Sequence, residues 1–232
     1  AATTLFFACV IAEDTERRLK MLLSGYMAAA MVASLIAILA YFRALPGADW
    51  LMISGNYRAW NYSELDEITP ANVSGLQLQW VWAMTEGGWN EPAPVVRDGV
   101  LFVNNMANIV QALDAATGEL IWENRVGPLV AAGASRGLAI YDDKIFIATN
   151  DARLVALNAK TGQIVWETIV GDRTHGNYTA PSGPIIVRGK VIQGLSNCTL
   201  YRAEKCFIGA YDANNGRELW RTPAQGSLGA PA

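Results

Sequence analysis

From Pro94 onward short apolar runs alternate with small polar clusters, a pattern that predicts strands joined by tight turns. The stretch Ala112–Trp122 reads as a strand, a turn at Asp114–Gly118 and a second strand. It recurs as Ala156–Trp166 and again as Ala210–Trp220. In each copy an Asp or Asn can hydrogen-bond the turn backbone, and a Gly supplies positive φ at little steric cost. The closing tryptophans, Trp122, Trp166 and Trp220, stand 44 and 54 residues apart, a period in the range of a four-stranded propeller blade, with an insertion in the longer interval.

A hairpin precedes each repeat. The first runs from Pro94 to Val103 and turns at Arg97-Asp98-Gly99. The second runs from Leu138 to Ala148 and turns at Asp142-Asp143-Lys144. The third runs from Pro184 to Gly194 and turns at Arg188-Gly189-Lys190. Hairpin plus hairpin makes the blade, and the closing Trp is large enough to fill the gap to a neighbouring blade while its indole N–H seeks an acceptor. Three unrelated hairpins with common turn chemistry are the plain alternative, but the match extends over all eleven positions and turn rules constrain only a few. Upstream, Leu78-Gln79-Trp80-Val81-Trp82 alternates and reads as a strand, after a helix-like or turn segment over Ile68–Leu76.

A different pattern holds near the start. Met21 to Phe42 is apolar and uncharged, long enough at about 1.5 Å per residue to cross a bilayer core of about 30 Å. Arg17, Arg18 and Lys20 precede it, so the N-terminus is expected in the cytoplasm and everything after Arg43 outside. The segment reads as an uncleaved membrane anchor or as a cleaved signal sequence. Its length favours the anchor, and Pro46-Gly47-Ala48 is a poor cleavage site. A buried core helix fits less well, because the run is apolar all round. The expected organisation is a poorly defined segment over 1–20, the transmembrane helix or signal core over 21–43, and blades over 44–232.

Composition narrows the functions. With 52% hydrophobic residues over 232 positions a substantial core is assured, and eight tryptophans with 21 glycines suit a propeller. A net charge of -3 without a basic cluster argues against a nucleic-acid partner. The single histidine, His175, lies in a Gly-Asn loop and reads as a solvated loop residue. It leaves no multi-histidine metal site and no nucleophile–histidine pair that needs a second one. The three cysteines, Cys9, Cys198 and Cys206, include no Cys-x-x-Cys-His, so covalent haem is not encoded.

The head segment carries the more specific signal. Asp49-Trp50, Gly55-Asn56, Tyr62-Ser63-Glu64-Leu65, Ile68 through Asn72-Val73 to Leu76, and Trp80 occur in an order that resembles the mature start of the pyrroloquinoline-quinone (PQQ)-dependent alcohol dehydrogenases, relatives of methanol dehydrogenase. The resemblance runs from about Asp49 to Trp220. It implies an all-β fold, part of an eight-bladed β-propeller with tryptophan-docking repeats. It also implies PQQ and calcium as cofactors, a small-molecule alcohol or related hydroxyl compound as substrate, and cytochrome c or a membrane quinone as electron acceptor. The location implied is the periplasm, anchored to the bacterial inner membrane or secreted after signal cleavage. A noncatalytic propeller, either a membrane-tethered scaffold or a sensor ectodomain, is the alternative. Such proteins share the repeats but lack the head segment.

By the same resemblance Glu91, in Glu-x-x-Pro, contacts the cofactor, and Arg136 bonds its acidic groups. A guanidinium offers the planar paired donors that a polycarboxylate needs. Ser196, Asn197 and Cys198 match the loop beneath the cofactor, with Asn197 in place of a family Gly. Thr199 stands where the family has a calcium-ligating Glu. A neutral hydroxyl lacks the charge that dominates calcium affinity. Val130 and Ala131 stand in place of the family's adjacent Cys pair. Cys198 and Cys206 bracket Thr199–Lys205 and in an oxidising compartment are expected to form a disulfide, two buried free thiols being the alternative. No catalytic residue is identified in this chain, since the family's catalytic Asp belongs to later blades.

Overall fold

The computed structural model describes residues 49–84, 91–128, 136–198 and 206–224. They form three four-stranded sheets, each a simple antiparallel meander. The first contains β1 (Val95–Arg97), β2 (Val100–Asn105), β3 (Ile109–Asp114) and β4 (Leu120–Arg125). The second contains β5 (Leu138–Tyr141), β6 (Lys144–Ala148), β7 (Arg153–Asn158) and β8 (Ile164–Ile169). The third contains β9 (Ile185–Val187), β10 (Lys190–Gly194), β11 (Phe207–Asp212) and β12 (Glu218–Pro223). Each sheet is the hairpin-plus-hairpin blade expected from the sequence. The first turns are tighter than the triplets suggest: Asp98-Gly99, Asp142-Asp143 and Arg188-Gly189, with Arg97, Lys144 and Lys190 already in strands. Positive φ at Asp98 and Gly99, and again at Arg188 and Gly189, gives the hairpin geometry whose twist matches the strands.

The sheets pack face to face through two cores. Along β6 and β7 nearly every residue is buried because successive side chains serve opposite neighbours. Ile145, Ile147, Val155 and Leu157 join Val95, Phe102 and Val110 of the first sheet. Phe146, Leu154 and Trp166 join Ile186, Val191, Phe207 and Tyr211 of the third. Each large aliphatic side chain so buried contributes about 1.5–3 kcal/mol. The first strands adjoin, β5 touching both β1 and β9, whereas the fourth strands β4, β8 and β12 are the most exposed.

The repeats carry the locks between blades. In all three the register shifts at the same place, between Ala112 and Leu113, Ala156 and Leu157, and Ala210 and Tyr211. The turn that follows is tied by Asp114 Oδ1 accepting from the amides of Ala116 and Thr117 at 2.9 and 2.8 Å, and by Asn158 Oδ1 in the same way at 3.0 Å. Trp122 and Trp166, and Trp80 ahead of the first blade, then dock on the turn of the blade that follows, whereas Trp220 is exposed. Trp80 Nε1 donates to the Ala115 carbonyl at 3.1 Å, Trp122 Nε1 to Ala159 at 2.9 Å and Trp166 Nε1 to Ala213 at 3.1 Å. The indoles lie flat against Gly118, Gly162 and Gly216, where a Cβ would come within 2.6, 2.5 and 2.5 Å of the ring.

Leu78–Trp82 does not form a strand. It runs without a ladder partner among the described residues and is held by Trp80 and by Trp82 Nε1 donating to Gln111 Oε1 at 3.1 Å. Its alternation records which side chains dock, not backbone pairing. The preceding segment forms a 3-10 turn over Val73–Gly75. Residues from Asp49 onward cross the first strands: Trp50 pairs with Val96, and the Tyr57 hydroxyl donates to the Ile186 carbonyl. The β1 edge is thereby covered. The apolar run Met21–Phe42, with the segments 1–20 and 21–43, lies outside the described residues. Among the described residues no helix is long and apolar enough to cross a membrane.

Candidate cofactor site

The segments that lead into the three first strands converge at one end of the sheets. Glu91–Pro94 enters β1, Arg136–Gly137 enters β5 and Pro181–Pro184 enters β9. Prolines at 92, 94, 181 and 184 fix φ and remove donors, which suits extended lead-ins that pair with no strand of their own. The lead-ins meet directly. The Arg136 amide donates to the Pro181 carbonyl at 3.1 Å, and a Cβ on Gly183 would lie 3.1 Å from the Gly137 carbonyl. Across the first two, Arg136 Nε donates to Glu91 Oε2 at 2.9 Å, with the Arg and Glu side chains 50% and 55% exposed. The two residues singled out from sequence, 45 positions apart, are therefore partners.

Ser196 and its neighbours belong to the same end, because β9 and β10 are antiparallel and β10 leaves where β9 enters. Ser196 N donates to the Thr179 carbonyl at 2.8 Å, and Thr179 N to the Ser196 carbonyl at 3.3 Å. Asn197, in the left-handed region at φ 63°, donates through Nδ2 to Thr179 Oγ1 at 3.1 Å. The lead-in over Thr179–Pro184 thus ties Ser196 at one end to Arg136 at its middle. Cys198 is bridged to Cys206, with Cα atoms 5.3 Å apart, so the thiol alternative is set aside. The bridge anchors the Ser196 turn to the start of β11. Thr199, Val130 and Ala131 lie outside the described residues.

His175 is an exposed loop residue, its Nδ1 3.1 Å from Asp172 Oδ2. Hydrogen bonds from the Thr174 hydroxyl and amide, and the nearby His175, hold the Asp172 carboxyl below its ordinary range. Among the described residues no group of three or more His, Cys, Asp or Glu could hold a metal ion.

Sequence reasoning missed the residues that support the site. Gln193, 1% exposed, donates through Nε2 to the carbonyl and hydroxyl of Ser182 at 3.3 and 3.2 Å and to the Gly194 carbonyl at 2.9 Å. In β10 Val191 and Gln193 take the inward positions and alternate with more exposed neighbours, a burial that the sequence of this short strand does not mark. Between the first and second blades, Asn150 N donates to Asn108 Oδ1 at 3.0 Å. Arg153 spans the same junction, pairing with Asp151 and Glu167 at 2.7 Å each and donating to the Val126 carbonyl at 2.8 Å.

Comparison with known proteins places this architecture. Residues 50–226 match the family model for the PQQ-linked glucose/ethanol/alcohol dehydrogenase β-propeller domain. The quinohemoprotein alcohol dehydrogenase ADH-IIG of Pseudomonas putida is 32% identical over 183 residues, covering 76% of this chain and 25% of that protein. The dehydrogenase subunit of the alcohol dehydrogenase (quinone) of Gluconobacter oxydans (strain 621H) is 36% identical over 188 residues, covering 76% of this chain and 24% of that protein. The crystal structure of quinohemoprotein alcohol dehydrogenase from Comamonas testosteroni superposes with a TM-score of 0.68 at 31% identity, over 80% of this chain and 28% of that one. The chain spans about a quarter of the length of these curated relatives. Its three tryptophan-locked blades and its matched residues belong to the PQQ-dependent alcohol dehydrogenase family of β-propellers.

Proposed function

We propose that Glu91, Arg136, Ser196 and Asn197 form part of the PQQ-binding face of a dehydrogenase that oxidises an alcohol or related hydroxyl substrate. The reaction takes place in the periplasm, and electrons pass to cytochrome c or a membrane quinone. The observation that carries the reading is the Glu91–Arg136 ion pair at the meeting point of the blade lead-ins. When bound, PQQ supplies the two-electron acceptor. The residues present suit a flat polycarboxylate. The ion pair engages the guanidinium through Nε, and with the Arg136 side chain half exposed the outer nitrogens offer a paired-donor fork to a carboxylate. Glu91 fixes the direction of that fork, and the Ser196–Asn197 turn, braced by Thr179 and the Cys198–Cys206 bridge, supplies polar contacts beside it.

Calcium enters this reading through the family resemblance, with Thr199 as the residue at the position of the usual ligand. The described residues alone contribute no metal group. The run Met21–Phe42, with Arg17, Arg18 and Lys20 before it, supports a tether that leaves the blades outside the inner membrane.

Titration of the 232-residue chain with PQQ, followed by quenching of its tryptophan emission, tests the proposal. Saturable quenching is expected. Arg136→Ala should weaken it about 10- to 100-fold, the equivalent of one lost charge-assisted hydrogen bond. Absence of saturable binding by the unaltered chain, or equal binding by the variant, would overturn the assignment.

A further inference from the structure

We infer that Gln193 is a positioning residue for Arg136, acting through the lead-in that joins Arg136 to Ser196. The lead-in has Thr179 paired with Ser196 at its start and Pro181 accepting from the Arg136 amide at its middle. Ser182, next in line, is exposed on its outer side, so ordinary packing does not hold it. What holds it is the Gln193 amide, fully buried in β10, which donates to both Ser182 oxygens. The same Nε2 also donates to the Gly194 carbonyl at 2.9 Å, so the amide ties Ser182 to the end of β10, and it does so at a cost, for Gln193 Oε1 is buried with no hydrogen-bond partner. A leucine would fill the same space without that burden. The polar side chain therefore contributes little to global stability, and its effect falls on the lead-in. If the lead-in loosens, the Pro181 carbonyl leaves the Arg136 amide, and the fork held against Glu91 loses its fixed origin.

The inference rests on the PQQ reading only in its last step, the consequence for ligand binding, and two measurements separate the two. The first is hydrogen exchange at the Arg136 amide in the 232-residue chain without ligand, comparing Gln193→Leu with the unaltered protein. Exchange is expected to quicken about tenfold at Arg136 while the amides of β6 and β7 and the thermal midpoint stay where they were. Ser182→Ala, an exposed change that removes only the hydroxyl contact, should quicken it about threefold and covers the case in which the leucine variant fails to fold. The second is PQQ titration, in which Gln193→Leu should raise the dissociation constant about tenfold. Unchanged Arg136 exchange in the variants overturns the inference. So does faster exchange with unaltered PQQ affinity, which would leave Gln193 a local brace only. Faster exchange in a protein that takes no PQQ even when unaltered upholds the brace on Arg136 and sinks the cofactor reading instead.

Discussion

Tyr211 holds the position that Leu113 and Leu157 hold in the two earlier repeats, and it carries a hydroxyl into a site built for a methyl. It is fully buried and the hydroxyl has no hydrogen-bond partner. Room for the ring comes from Gly209, where the earlier repeats have Gln111 and Val155, since a Cβ there would lie 2.8 Å from the phenolic oxygen. Burial, with the Glu218 carboxylate adding to it, pushes the phenol up to about 12. The folded pKa lies above the unfolded value, so the benefit of the neutral phenol is complete below about pH 10 and is lost as pH rises toward the folded value. Urea unfolding should show about 1 kcal/mol of that loss by about pH 11, and Tyr211→Phe should remove this part of the alkaline slope. At neutral pH the same variant should be unchanged or more stable by up to about 1 kcal/mol, because no bond is given up. An identical alkaline slope in both proteins would refute the assignment. Gly209→Ala should cost about 1–3 kcal/mol through overpacking, and most of that should return when Tyr211→Leu is added.

At the scale of elements, the tryptophan and glycine of successive blades form one device. Gly162 is held at φ 70° and lies under Trp122, so both its backbone and its missing side chain are required. Gly162→Ala should lower stability by at least about 2 kcal/mol, adding left-handed strain to displacement of the indole. Trp122→Phe alone should cost about 1 kcal/mol or more through loss of the bond to Ala159, yet it should lessen the penalty of Gly162→Ala. Strictly additive costs in thermal unfolding would mean that ring and glycine do not act together. The turn could be read from sequence because the demands on Asp114, Asn158 and the glycines are local. The docking partner of each indole could not, since Trp122 and Ala159 lie 37 positions apart and only the repeat period hints at their meeting. Leu78–Trp82 misled for a related reason: alternation reports which side chains find cover, whereas a strand needs a backbone neighbour. Glu91 and Arg136 were singled out through resemblance alone, each as a cofactor contact, and their pairing with one another was not foreseen. Gln193 was hidden because a single amide in a short apolar strand resembles a solvent-facing residue until the sheet on its other side is known.

Across the whole set of blades, among the described residues, cohesion passes chiefly between neighbours, the strap from Trp50 on Val96 to Tyr57 on Ile186 being the contact that reaches from the first blade to the third. One core and the Trp122 lock join the first blade to the second, helped by Asn108 with Asn150 and by Arg153 with the Val126 carbonyl. A separate core and the Trp166 lock join the second to the third. Such an arrangement behaves as a linear chain of coupled units, so weakening one junction should release the blades beyond it and spare the others. Trp166 is the residue on which the second junction depends: it is 9% exposed, packs 5.8 Å from Phe146 and reaches the Ala213 carbonyl. Trp166→Ala should remove about 3–5 kcal/mol there. Amides of β10 and β11 should then exchange at least about 100-fold faster, while those of β2 and β3 keep their rates. Urea unfolding, expected to be a single step in the unaltered protein, should divide into two in the variant. Equal acceleration in all three sheets would show instead that the blades open as one body, and that the coupling between them exceeds what the two cores and their indoles supply.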